Sequence, residues 1–312
     1  MGPALTIGTR GSQLALWQAE WVRGRITALH PACRVNLEII KTRGDKILDV
    51  PLAQVGGKGL FVKEIEEALI AGRIDLAVHS MKDMPADLPA ELCIGPVPER
   101  EDPADVLISR GGRHLDDLPH GARVGTSSLR RAAQLRQRRP DLTIVPLRGN
   151  LDTRLRRLDD PDQGLDAIVL AAAGVRRLGL QARIAERLDP ATILPAVAQG
   201  VLCLELRRRD PLTAALLAPL DHGPSRIAAR AERAFLRRLE GGCQVPIAGH
   251  ATVSDGTVHL TGLVSDLDGC RVYRQTLSGP ADRAPAIGVA LADALLADGA
   301  GEILKALKAH EN

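Results

Sequence analysis

The chain has 312 residues, 45% of them hydrophobic and 25% charged, a globular composition that at roughly 150 residues per domain makes two domains or three small ones. A formal net charge of +3 is too mild for a nucleic-acid binder, aromatic residues at 2% leave no stacking platform for single strands, and no apolar run approaches the ~20 residues of a membrane span. Met1–Thr9 lacks the basic and then apolar stretch of a secretory signal, which predicts a cytoplasmic location.

Strand and helix alternate from the start. Ala4–Thr9 reads as a strand running into Arg10-Gly11-Ser12, with Ser12 placed as an N-cap. The helix behind it lines up Leu14, Trp17, Trp21, Val22, Ile26 and Leu29. Val35, Leu37 and Ile39 alternate as a second strand. A Gly-rich loop, residues 55–59, precedes a helix from about Leu60 that ends at Gly72, and Asp75–Ser80 is a strand leading into Met81-Lys82-Asp83. A second series follows: strands at Val106–Ser109, at Val124, at Leu142–Leu147 and at Ala167–Ala171, with helices beginning after Ser128 and Asn150. Pro195–Gln199 is a connector, and Val201–Leu206 is another strand. Pro224 opens a helix that Gly241-Gly242 ends. Three strands at Ala248–Ser254, Thr257–Val264 and Arg271–Leu277 then alternate around Asp-Gly turns. A helix over Ala284–Leu307, interrupted near Gly299–Gly301, closes the pattern. The first two series predict α/β layers with mostly parallel sheets, the last an antiparallel α+β unit.

Ligands in such sheets sit at the carboxyl ends of strands, and basic and hydroxyl residues collect at those ends: Arg10 and Ser12; Ser80, Lys82 and Asp83; Thr126, Ser127 and Ser128 before Arg130 and Arg131; Arg148 and Asn150 before Arg154. A lone arginine beside a helix start is ordinarily a solvated surface charge. Four strand ends of like character point instead to a crevice between two lobes that holds a polyanion, since helix N-termini and guanidinium forks both favour anions. Seven lysines leave 34 arginines among the 41 basic residues. That excess reflects codon bias or a site that grips many carboxylates. The Gly-rich loop ends in Lys58-Gly59 without the Ser/Thr of a phosphate loop, which disfavours a nucleotide. Asp83 stands among these cations as a candidate proton shuttle or, equally, a turn-capping residue before Pro85.

Five cysteines, at 33, 93, 203, 243 and 270, form no CxxC pair, and the eight histidines form no metal cluster, so neither a disulfide framework nor a metal site is expected. Cys33, Cys93 and Cys203 sit in apolar stretches. Cys243, in Gly241-Gly242-Cys243-Gln244-Val245-Pro246, has a sterically open thiol suited to act as a nucleophile or a covalent tether.

These segments resemble a known family. Residues 9–15 (TRGSQLA), 56–61 (GGKGLF), 79–83 (HSMKD), 125–131 (GTSSLRR), 147–150 (LRGN) with Thr153-Arg154-Leu155, and 240–246 (EGGCQVP) stand in the order and spacing of the porphobilinogen deaminases, also called hydroxymethylbilane synthases. The likeness runs from about residue 5 to about residue 250. It implies two periplasmic-binding-protein-like α/β lobes plus a small α+β C-terminal domain: 1–99 with 200–219, 104–194, and 222–312. It further implies a dipyrromethane cofactor joined through a thioether to Cys243 and contacted by Lys82, Asp83, Thr126, Ser128, Arg130, Arg131 and Arg154. Asp83 is then the catalytic residue, and Arg10, Ser12, Phe61, Arg148, Arg154, Arg177 and Gln199 hold substrate, with Phe61 and the loop at 56–59 as a lid. The implied reaction is a transferase's, joining four porphobilinogen molecules into hydroxymethylbilane, in a monomer without nucleic-acid or membrane partners. The competing reading is a non-catalytic two-lobe polycarboxylate-binding protein.

Overall fold

Strand β1 (Ala4–Thr9) buries Leu5 and Ile7 on one side, and helix α1 (Gln13–Leu29) lays Ala19, Val22 and Ile26 over them. Each such fully buried branched side chain contributes about 1.5–3 kcal/mol. Ser12 caps α1 as expected, its hydroxyl accepting the Ala15 N–H at 3.3 Å, which is worth about 1 kcal/mol. The computed structural model describes residues 3–46, 61–240 and 245–309, and these divide into two units, 1–101 with 200–226 and 102–199 with 227–312.

In the first unit β2 (Arg34–Ile39), β1 and β3 (Leu76–Ser80) run parallel, and β10 (Leu202–Arg207) enters antiparallel between β3 and β4 (Leu92–Ile94), giving the order β2-β1-β3-β10-β4. Helices α1 and α6 (Pro211–Leu217) cover one face. Helix α2 (Lys63–Ile70) covers the other, with Ile65, Ala68 and Leu69 against Ile74, Ala77 and Leu92. The second unit repeats the plan. Strands β7 (Thr143–Val145), β6 (Arg123–Gly125) and β8 (Ala167–Ala171) are parallel, and β5 (Asp105–Ser109) lies antiparallel between β8 and β9 (Glu186–Leu188). Helix α3 (Leu129–Arg138) packs Leu135 on Leu107, Val124 and Val169. Helix α4 (Leu151–Asp159) packs Leu155 and Leu158 on the opposite face with Val106 and Ile108.

The alternation predicted mostly parallel sheets. Each sheet instead carries one strand antiparallel to both its neighbours, and each ends in a three-residue edge strand, β4 or β9, too short for its own periodicity to show.

A third sheet, β11 (Ile247–Ser254), β12 (Thr257–Ser265) and β13 (Val272–Pro280), is an antiparallel meander in the second unit. The ring of Phe235, on helix α7 (Gly223–Arg238), fills the space over Gly249 and Gly262 of this sheet. Helix α8 (Ala284–Leu295) crosses α7 at Gly288, where a Cβ would stand 2.2 Å from the Ala231 carbonyl oxygen and 2.8 Å from the Phe235 nitrogen. Both obstacles are backbone, so the helices must part to admit a methyl group. Gly288→Ala is therefore expected to lower stability by about 2 kcal/mol net of its better helix propensity, read as a lower thermal midpoint. An unchanged midpoint would contradict the crossing. The closing helix is interrupted, as predicted, at Gly299 (φ +120°), and resumes as α9 (Gly301–Ala309).

Candidate functional site

The first unit gathers its expected residues at one sheet edge. β1 and β3 pair in parallel through Gly8 and Ala77, so both strands end on the same side. Beyond β1, the Arg10 guanidinium carbon lies 4.3 Å from the centre of the half-buried Phe61 ring, a cation–π contact that orients it. Beyond β3, the Ser80 hydroxyl accepts from Gln18 Nε2 at 2.9 Å, tying the strand end to α1. A single 3₁₀ turn, Met81–Asp83, follows. The Met81 N–H donates to the Val201 carbonyl and the Met84 N–H to the Met81 carbonyl. Lys82 is half-buried on this turn, and Asp83 is exposed with no side-chain partner among the described residues. The turn is thus fixed at both ends while its carboxylate is left available.

Behind β3 lies a group of acids the sequence reading did not single out. Imidazole Nε2 of His79 is 3.1 Å from Oε2 of Glu205 on β10, both side chains buried. Glu66 of α2 is buried too, and Oε1 of Glu66 and Oε1 of Glu205 have no hydrogen-bond partner among the described residues. Burial, then the neighbouring Glu205 charge, push the Glu66 carboxyl up to about 7, with His79 opposing.

The second unit supplies the arginines. β6 is parallel to β7 and to β8, so Thr126–Ser128, Arg148–Asn150 and the start of helix α5 (Ala172–Arg177) share an edge. Ser128 caps α3, accepting from the Arg131 N–H, and Asn150 caps α4, accepting from the Thr153 N–H. The N–H groups at both helix starts therefore face this edge, which favours anions. Buried Thr126 donates its N–H to the Val145 carbonyl and accepts from the Ser128 N–H. Arg148 is half-buried, Arg154 Nε donates to the Gly149 carbonyl at 2.8 Å, and Arg177 is buried at the end of α5.

Arg130 and Arg131, expected among the crevice-lining cations, are each only 5% exposed. Both bind the wholly buried Asp105, the first residue of β5. Arg130 Nη1 donates to Oδ2 at 2.7 Å, and Arg131 Nε and Nη2 donate to Oδ1 at 3.1 and 2.8 Å. Arg130 Nη1 also reaches the Leu194 carbonyl, and Arg131 Nη1 reaches that of Val169. Gln199 Nε2 joins them on Asp105 Oδ1 at 2.9 Å and also donates to the carbonyls of Pro103 and Ala104. The Gln199 amide group is thereby committed to the connector. Burial raises the Asp105 pKa, but the two guanidiniums more than reverse this and hold the carboxyl far below the usual range. Burial, with Arg131 beside it, lowers that of Arg130. Arg130 makes both of its hydrogen bonds through Nη1, so its Nε and Nη2 N–H groups have no partner among the described residues. Asp105 was legible only as a charge opening the apolar run Val106-Leu107-Ile108, and a buried charge of that kind must be paired.

Cys243 and the loop at 56–59, Lys58 included, lie outside the described residues. Glu240, just before the cysteine segment, has φ +51°. Among the described residues no group of His, Cys, Asp or Glu could hold a metal ion, and no helix is long and apolar enough to cross a membrane.

Comparison with known proteins agrees with this chemistry. A family model described as porphobilinogen deaminase, dipyromethane cofactor binding domain, matches residues 5–215, and one for the porphobilinogen deaminase C-terminal domain matches residues 226–297. The chain is 59% identical to a porphobilinogen deaminase of Syntrophotalea carbinolica, over 97% of this chain and 96% of that protein. It is 58% identical to one of Nitratidesulfovibrio vulgaris, over 96% of each. Among solved structures, a probable amino-acid ABC transporter extracellular-binding protein from Bacillus subtilis has a TM-score of 0.42 and 13% identity over 70% of this chain and 91% of that one, too distant to add to the sheet order above. The two family models account for nearly the whole chain, and it belongs to the porphobilinogen deaminase family of enzymes.

Proposed function

We propose that the protein is a transferase that deaminates four porphobilinogen molecules and joins them head to tail into the linear tetrapyrrole hydroxymethylbilane, priming the chain with a dipyrromethane held as a thioether by Cys243. We assign it to tetrapyrrole biosynthesis as a cytoplasmic monomer of three functional domains, without nucleic-acid or membrane partners. The observation that carries the reading is the availability of Asp83: exposed, without a side-chain partner among the described residues, on a turn fixed at both ends.

Each pyrrole unit bears an acetate and a propionate, and the second unit's edge suits such arms. The Nε–Nη2 side of Arg130 takes a carboxylate two bonds at a time, and Arg131, Arg148, Arg154 and Arg177 add charge, with Thr126 and Ser128 as hydroxyl partners. The dipyrromethane, when bound, supplies the free α-carbon on which pyrroles are added and remains attached when product leaves. Asp83 accepts and returns protons during ammonia loss and carbon–carbon bond formation, and its negative charge faces the cationic pyrrole. Lys82, Arg10 and Ser12 orient the acidic arms, and Phe61 stacks with Arg10 to shape the entrance.

Intact-protein mass spectrometry tests the reading. The wild-type chain should carry the added mass of two pyrrole units and give the pink-to-violet colour of Ehrlich's reagent. Cys243→Ser should show the bare polypeptide mass and no colour. An unmodified, colourless wild type after incubation with porphobilinogen would favour the binding-protein reading.

A further inference from the structure

We propose that Asp105 is a positioning residue for the cofactor's acidic arms: by holding Arg130 through Nη1 alone, it turns the Nε–Nη2 side of that guanidinium toward one ligand carboxylate. The proposal rests on the reading above that Arg130 holds the dipyrromethane.

Three observations carry it. Asp105 has no solvent exposure, and its two oxygens take four donated hydrogen bonds from three side chains. Arg131 presents Nε and Nη2 to Oδ1, while Arg130 presents only Nη1 to Oδ2, so two chemically identical side chains one residue apart are held in different ways. Arg130, nine-tenths buried, keeps three N–H donors without partners among the described residues, and two of them lie side by side on the Nε–Nη2 side of the guanidinium that matches a carboxylate.

The charge balance points the same way. One carboxylate against two guanidiniums leaves a single positive charge in a nearly dry place, where an unpaired ion is costly. A second carboxylate, brought by the ligand, completes the neutralisation. Asp105 thus sets both the direction of the free guanidinium side and the number of ligand carboxylates, one, that the pair accepts. Its own position is fixed from the backbone, because it opens the antiparallel strand β5 opposite Ala171 and Leu188. The Leu194 carbonyl, held by Gln134 and Arg130 together, fixes the far side. Gln199 completes the arrangement, its amide bridging Asp105 Oδ1 and the carbonyls just before it.

The test uses the full-length chain with the substitutions Asp105→Asn, Asp105→Ala and Arg130→Gln, each incubated with porphobilinogen. The rate of cofactor loading is read by intact mass, beside the thermal midpoint. Asp105→Asn keeps the volume but not the charge, and should load about tenfold more slowly, the loss of one charge-assisted bond's orientation. In Asp105→Ala, added formate should restore loading where chloride at equal ionic strength does not, because formate alone supplies a carboxylate to the two guanidiniums. Loading of Asp105→Asn at the wild-type rate, with Arg130→Gln impaired, overturns the role of Asp105 alone. Normal loading of Arg130→Gln overturns the underlying assignment of Arg130. If Asp105→Asn fails to fold, Asp105→Ala decides: formate that restores the midpoint but not the loading shows a purely structural residue and overturns the proposal.

Discussion

Asp83→Asn is expected to abolish turnover, by about a thousandfold or more, the usual contribution of a positioned acid–base group, while leaving the fold and cofactor attachment intact. The carboxylate makes no side-chain contact among the described residues, and the turn that presents it is held by the Met81–Val201 and Met84–Met81 backbone bonds, which the substitution leaves alone. Asparagine is nearly isosteric and exposed, so the folding stability should stay within about 0.5 kcal/mol of wild type. Loss of rate without loss of stability identifies a chemical role. Single-turnover measurement of ammonia release would then assign the missing proton transfer. Near-normal turnover would remove Asp83 from the chemistry.

Glu66→Gln is expected to make the protein more stable above neutral pH. The Glu66 carboxyl titrates at about 7 in the folded protein against 4.5 for the free group. The folded state therefore binds the proton more tightly than the unfolded chain does. Stability falls as pH rises from 4.5 through 7, and the penalty is complete above 7. The difference amounts to about 3 kcal/mol. Glutamine removes the charge and with it the repulsion from Glu205. The wild-type thermal midpoint should decline between pH 5 and pH 8.5, and the variant's decline should be smaller. At pH 8.5 the variant should unfold at the higher temperature by roughly 5 °C. Parallel curves for the two proteins would show that Glu66 does not carry the penalty.

What the sequence made legible was local. The alternation of apolar strands with amphipathic helices located both α/β series, because period 2 and period 3.6 are set by residues a few positions apart. Ser12 was legible as a cap because a hydroxyl before an apolar helix has one dominant use. The strand-end polar residues could be placed on their sheet edges since parallel strands bring their carboxyl ends to one side. The pairing of distant residues was not legible. Nothing near Asp105 announces that it will receive side chains from residues 130, 131 and 199, and the two arginines read as cations lining a crevice, not as partners of a buried acid. Glu66, His79 and Glu205 likewise meet only through β10 crossing between β3 and β4. The antiparallel direction of β5 and β10 also escapes periodicity, since alternation is the same whichever way a strand runs.

The placement of β10 bears on how the chain is made. β4 pairs with β10 alone, and the outer side of β3 pairs with it too, so the opening hundred residues emerge from the ribosome with two sheet edges bare. At bacterial and eukaryotic synthesis speeds the missing strand arrives on the order of ten seconds later. All five strands of the other α/β sheet, by contrast, lie between residues 105 and 188. Of these two sheets, the one whose strands begin earlier in the chain is the one that waits, and in that interval its unsatisfied edges are open to self-association or to a chaperone.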